Sequence, residues 1–142
     1  MKFKWIWMRY FGMVLVTVSA AACASEEGRW YSDQQIVVGQ QVFKQNCAAC
    51  HGEQAQGTLE WRKRDANGNL PPPPLNGAAH AWHHPMSVLL RTIERGGVPL
   101  GGTMPAFANQ LVQEDRLAAI AYFQDFWSDE IYRGWVERGG LK

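Results

Sequence analysis

The chain has 142 residues, 46% of them hydrophobic and 19% charged, with a formal net charge of +1. That length suits one domain and that hydrophobic share is ordinary for a globular fold. The balanced charge excludes a strongly basic surface for nucleic acid and leaves any electrostatic docking to local patches.

The first segment stands apart from the fold. Lys2, Lys4 and Arg9 make a basic start, Phe11 to Val18 an apolar run, and Ala20-Ala21-Ala22 a small-residue cleavage site. Residues 1–22 therefore read as a bacterial secretory signal, with an apolar run too short for a membrane span. Its removal takes away three cations and leaves 11 Lys and Arg against 13 Asp and Glu, a net charge of −2. Cys23, the odd one of three cysteines, admits two readings. As the acylated first residue of a lipoprotein it would tether a soluble domain to a membrane face. However, Ala20 stands where a lipobox has Leu, and ordinary cleavage near Ala22 or Ala24 would leave Cys23 free or discard it. Residues 23–31 are a short leader.

Ser32 followed by Gln35 predicts a capping box and a helix running to about Asn46. Its inward face is expected to carry Ile36, Gly39, Val42 and Phe43. Gly39 costs this helix ~1 kcal/mol relative to Ala, which asks for a packing reason.

Cys47-Ala48-Ala49-Cys50-His51 follows, a C-x-x-C-H sequence that reads as an attachment site for c-type haem. Two thiols at this spacing can add to the haem vinyl groups as thioethers, and the adjoining His51 can ligate the iron through an imidazole nitrogen. A zinc site would want a second Cys or His pair, and a thioredoxin-like pair a βαβ context; neither pattern is present.

From Gly52 to Gly77 helical periodicity is weak. Asp65 to Asn69 predicts a turn or small hairpin around Asn67-Gly68. Pro71 to Pro74 should run extended. Arg62, Lys63 and Arg64 beside Trp61 read as a solvated loop, with a docking patch as the alternative. His80, His83 and His84 read as surface or haem-edge histidines, with copper or zinc binding as the rival reading.

A helix from about Pro85 to Arg95 should bury Met86, Leu89, Leu90 and Ile93 and end at Gly96-Gly97. Gly101 and Gly102 then lead to Met104-Pro105. Met104 is the candidate for the second axial position, because a thioether is a soft, neutral ligand that raises the iron's reduction potential. The last long helix begins near Glu114-Asp115 and carries Leu117, Ile120, Tyr122, Phe123, Phe126 and Trp127. Ser128 can cap a further short helix with Ile131, Tyr132 and Trp135, either a cover for the domain or an aromatic docking surface. One C-x-x-C-H and no internal repeat predict a single haem.

Four pieces in this order resemble the class I c-type cytochromes. They are Gly39-x-x-x-Phe43, C-x-x-C-H, Pro74-Leu75-Asn76-Gly77, and Met104-Pro105 ahead of an aromatic-rich last helix. The resemblance implies an all-α cytochrome c fold, a small helical domain wrapped around one covalent haem with long loops. It would span residues 32–127, with residues 128–142 as a C-terminal helical extension. It implies that the first and last helices cross at Gly39 with Phe43 beside them. It also implies that the Pro74 carbonyl takes the proton of the second His51 nitrogen and that Leu75 walls the haem pocket. Haem attachment outside the cytoplasm fits the signal and a periplasmic or exported location.

The expected function is a one-electron carrier between respiratory complexes or dehydrogenases, with heme c as cofactor, Cys23 as a membrane tether if acylated, and no catalytic residue of its own. Alternatives are a cytochrome subunit of a membrane oxidase or dehydrogenase, a haem enzyme with an open iron site, and metal delivery through the histidine cluster.

Overall fold

A computed structural model describes residues 28–142; the predicted signal segment and Cys23 lie outside them. The described residues form five α-helices, α1 (Asp33–Asn46), α2 (Ala48–His51), α3 (Met86–Arg95), α4 (Gln113–Asp125) and α5 (Asp129–Glu137), with two short 3-10 turns at Ala81–His83 and Val98–Leu100. Among the described residues there is no strand, only one isolated parallel bridge between Leu70 and Gly102.

Helix α1 starts as its sequence dictates. Ser32 is the N-cap, its hydroxyl accepting from the Gln35 N–H while the Gln35 side chain accepts from the Ser32 N–H. Two of the donors that a helix start leaves unmet are thereby paired. The helix buries Gly39 and Phe43 and leaves Ile36 and Val42 half-buried. Its main partner is α4. The contact is so close that a Cβ on Gly39 would land on the Ala118 carbonyl oxygen, which is the packing reason this glycine required. Phe43 lies beside the crossing, its ring 5.2 Å from that of Tyr122.

Helix α4 opens at Gln113 without a side-chain cap and buries Ala118 through Ala121 with Phe123. Small residues there are what let α1 approach. Trp127, just past the end of α4, is 2% exposed, but Phe126 turns outward at 40%. Phe126 is the C-cap of α4 and packs edge-on to the half-buried Tyr122 at 5.2 Å, at the margin of the core.

Helix α3 buries Met86, Leu89 and Ile93. Pro85 occupies its N-cap and offers no side-chain hydrogen bond. The first N–H groups are met instead from the far end of the chain. Met86 N–H donates to the Gly140 carbonyl at 2.6 Å and Ser87 N–H to that of Lys142 at 3.1 Å. Helix α5 is capped by Ser128, whose hydroxyl accepts from Ile131 N–H. It buries Tyr132 and Trp135, so its aromatic face covers the domain rather than standing free for docking. Arg29 closes this end, donating to the Trp127 carbonyl at 2.9 Å and pairing with Asp129 at 2.8 Å.

The Asp65–Asn69 stretch is a turn only. Asp65 Oδ1 accepts from the N–H groups of Asn67 and Asn69, and no paired strands flank it, so the hairpin option falls. The side-chain carboxylate supplies the hydrogen bonds that a strand partner would otherwise provide.

Candidate functional site

The C-x-x-C-H sequence forms one turn of helix on the end of α1. His51 N–H donates to the Cys47 carbonyl at 2.9 Å and Gly52 N–H to that of Ala48 at 2.8 Å. Cys47 and Cys50 are both free thiols, the first half-buried and the second exposed. Burial pushes the Cys47 thiol up to about 11, with the neighbouring Cys50 adding to the rise. Both sulfurs thus lie one helical turn apart, on the same side of the backbone.

His51 is 7% exposed, and its Nδ1 lies 2.9 Å from the carbonyl oxygen of Pro73. A carbonyl can only accept, so Nδ1 carries the proton and Nε2 keeps the lone pair. Burial lowers the His51 pKa while the Pro73 carbonyl pulls it back up. The result is a neutral imidazole with one nitrogen free to ligate.

The partner carbonyl belongs to Pro73, which corrects the expected Pro74 by one position. Neighbouring backbone bonds decide the register. Thr58 N–H donates to the Pro72 carbonyl at 2.9 Å, and Leu75 N–H donates to the Ala55 carbonyl at 2.7 Å. With residues 72 and 75 pinned, the carbonyl that meets the imidazole is that of Pro73. Pro74 is buried behind it and Leu75 half-buried against the core. The strap passes so close that a Cβ on Gly57 would meet the Pro73 carbonyl carbon and the Pro74 nitrogen.

Sequence reading missed two further contributors. Ala55 is fully buried with a φ of 53°, a left-handed conformation that costs an L-residue roughly 1–2 kcal/mol. Its carbonyl accepts from both Leu75 and Asn76 N–H. Trp127 Nε1 donates to the Leu75 carbonyl at 2.7 Å. Neither residue has a local sequence signal, because each acts through backbone partners far along the chain.

Met104 sits on a loop fastened to the end of α3. Gly97 N–H donates to the Met104 carbonyl at 2.9 Å, and Phe107 and Ala108 N–H donate to the carbonyls of Ile93 and Glu94. The segment after Met104 therefore satisfies the last carbonyls of α3. Gly96, with a φ of 78°, lies so near that a Cβ there would be 2.6 Å from the Met104 carbonyl oxygen. A turn at Val98–Leu100 precedes Met104, and Leu70 N–H ties it down at the Gly101 carbonyl, 2.8 Å away.

The remaining candidates lie elsewhere. Arg62 stacks over Trp61, Lys63 faces Glu60 at 3.7 Å, and Arg64 donates to the Gly68 carbonyl. All three are exposed and locally engaged, as a solvated loop requires. The His80 and His84 rings meet edge-on at 5.4 Å, and His83 stacks on Trp82 at 3.8 Å. Among the described residues no group of three or more His, Cys, Asp or Glu is gathered for a metal ion.

The donor set fits a haem. Paired thiols on one turn, a neutral imidazole with Nε2 available and a thioether on a fastened loop are the ligands such a group uses. Leu59, Val98 and Leu100, on the loops next to the strap and Met104, stand 97%, 64% and 70% exposed.

A helical domain of this build, with this turn at its centre, is a class I c-type cytochrome: a protein that binds haem c and transfers electrons. The family model described as "Cytochrome C oxidase, cbb3-type, subunit III" matches residues 34–123, and the chain belongs to that family.

Among curated relatives, the cbb3-type cytochrome c oxidase subunit CcoP of Rhodobacter capsulatus is 28% identical over 68% of this chain and 30% of its own length. The CcoP of Azospirillum sp. (strain B510) is 34% identical over 54% of this chain and 24% of its own. The chain thus spans less than a third of these relatives. Cytochrome cL from the marine methylotroph Methylophaga aminisulfidivorans MPT superposes with a TM-score of 0.54 at 21% identity, covering 78% of this chain and 68% of that one. That likeness shows the fold, an all-α cytochrome c fold as expected. No helix among the described residues is long and apolar enough to cross a membrane.

Proposed function

We propose that this cytochrome is an exported monohaem one-electron carrier, its haem bound through Cys47 and Cys50 and its iron ligated by His51 and Met104. The observation that carries the reading is the 2.9 Å contact between His51 Nδ1 and the Pro73 carbonyl, within the turn that presents both thiols. A carbonyl on the second imidazole nitrogen fixes the tautomer and strengthens the ring as a donor.

When bound, the haem supplies an iron that gains and loses one electron. The protein's residues do the rest. Cys47 and Cys50 anchor the ring, the Pro72–Leu75 strap holds the His51 proton on Nδ1, and the fastened loop presents the Met104 sulfur. The reading assigns no residue to proton transfer or nucleophilic attack. Donors and acceptors would be respiratory complexes or dehydrogenases, met in transient, small interfaces.

Mass spectrometry and a visible spectrum of the protein matured in a host competent for c-type cytochrome assembly test this together. The reading expects one covalent haem and a ferric sulfur–iron charge-transfer band. A colourless product with free Cys47 and Cys50 thiols would overturn it. The measured mass also reports the cleavage site and separates an acylated Cys23 from a discarded one.

A second reading, a cytochrome subunit of a membrane oxidase, is favoured by the similarity to CcoP chains. Chromatography of detergent-extracted native membranes distinguishes the two: a free small cytochrome supports the carrier, co-elution with an oxidase the subunit.

A further inference from the structure

We infer that Trp127 is a positioning residue for the His51 imidazole, acting through the proline strap. This rests on the reading of His51 as an iron ligand. The strap from Pro72 to Leu75 has one backbone donor, at Leu75, because prolines have no N–H. The pyrrolidine rings also fix φ, so the segment behaves as a short stiff rod whose carbonyl directions are set by where its ends are held.

One end is held by Thr58 on the Pro72 carbonyl. At the other, a single peptide plane is gripped on both edges. Asn76 N–H donates to the Ala55 carbonyl at 3.2 Å, and the Leu75 carbonyl on the same plane accepts from Trp127 Nε1 at 2.7 Å. Ala55 belongs to the same loop as His51, so its grip alone would let loop and strap move together. Trp127 ties the strap itself to the end of α4, as the Tyr122 hydroxyl ties the loop by donating to the Glu53 carbonyl at 2.9 Å. Trp127 lies just past α4, 2% exposed, with its ring edge-on to Trp135 at 5.9 Å. The direction of the Pro73 carbonyl, and with it the hydrogen bond to His51 Nδ1, is therefore referenced to the α1–α4 core.

A tryptophan this buried also fills space, so the indole N–H must be separated from packing. Trp135 supplies the control. It is 1% exposed, and its Nε1 likewise donates to a loop carbonyl, that of His84 at 2.8 Å, which lies ahead of α3 and outside the strap. Trp127→Phe and Trp135→Phe each delete one indole hydrogen bond and some packing.

The measurements are the exchange rate of the His51 Nδ1 proton in the reduced, haem-loaded protein by NMR, and the reduction potential. Trp127→Phe is expected to speed that exchange about tenfold, the effect of losing roughly one net hydrogen bond. It should also raise the potential, because a less firmly held proton makes the imidazole a poorer donor to ferric iron. Trp135→Phe, which disturbs Trp127 through ring packing alone, should change both far less than Trp127→Phe does. Unchanged exchange and potential in Trp127→Phe, or equal changes in both variants, would overturn the inference.

Should Trp127→Phe not fold, a benzothienyl-alanine placed at position 127 keeps the ring shape and removes only the donor. Failure of the ligand reading looks different. The wild-type protein would then lack a low-spin spectrum, while the exchange contrast between the two variants would still report on the strap.

Discussion

At the scale of single residues, the chemistry of the site follows from which atoms can donate and which can only accept. The Pro73 carbonyl has no proton, so His51 must supply one from Nδ1. Met104 has only a soft lone pair to offer, which favours ferrous iron. Met104→Ala is therefore expected to abolish the sulfur–iron band and lower the reduction potential, read in one spectroelectrochemical titration. Unchanged values would transfer the ligand role to another residue. The C-x-x-C-H turn and Met104 stand out in the sequence as candidates because their side chains are the donor types the proposed haem site would use. Pro73 was not. In a run of four prolines each carbonyl is equivalent locally, and the choice falls to Thr58 and Ala55, whose backbone bonds arrive from a loop that periodicity does not reveal. Ala55 was hidden for a related reason, since a left-handed alanine looks like any other alanine in a sequence.

At the scale of elements, the capping box at Ser32, the glycine at the helix crossing and the glycines ending α3 were all legible, because each is a local stereochemical need met by a specific side chain or its absence. Gly39 offers the sharpest test. Its Cβ position is filled by backbone of Ala118, which cannot rotate away as a side chain could. Gly39→Ala should force α1 and α4 apart and lower stability by about 3 kcal/mol, measured as a shift in the denaturation midpoint. A neutral result would mean that the crossing is looser than the structure draws it. The starts of α3 and α4 fall within one residue of the expected Pro85 and Glu114, although their hydrogen-bond partners were not legible. Neither has a side-chain cap, and for α3 the missing partners come from the chain's other end.

At the scale of the whole molecule, the histidine cluster links stability to pH. Burial first, then neighbouring histidines, lowers the His80 and His84 pKa values below the ordinary 6.5. Protonation therefore favours the unfolded chain, where both titrate normally. Their contribution is complete above pH 6.5 and is lost as pH falls through that value toward the lower folded ones. Denaturation midpoints measured between about pH 7 and pH 5 should decline on acidification, and His84→Gln should flatten the decline. A slope unaltered in that variant would assign the acid sensitivity to other groups.

The tail that meets the first N–H groups of α3 gives the molecule an unusual weak point. Deleting Gly140 to Lys142 would leave Met86 and Ser87 without their acceptors. Helix α3 would then fray from its beginning, although the cut lies far downstream. Because the opposite end of that helix clasps the stretch bearing Met104, the deletion should show up as a faded sulfur band. A visible spectrum of the variant lacking Gly140 to Lys142 would reveal it.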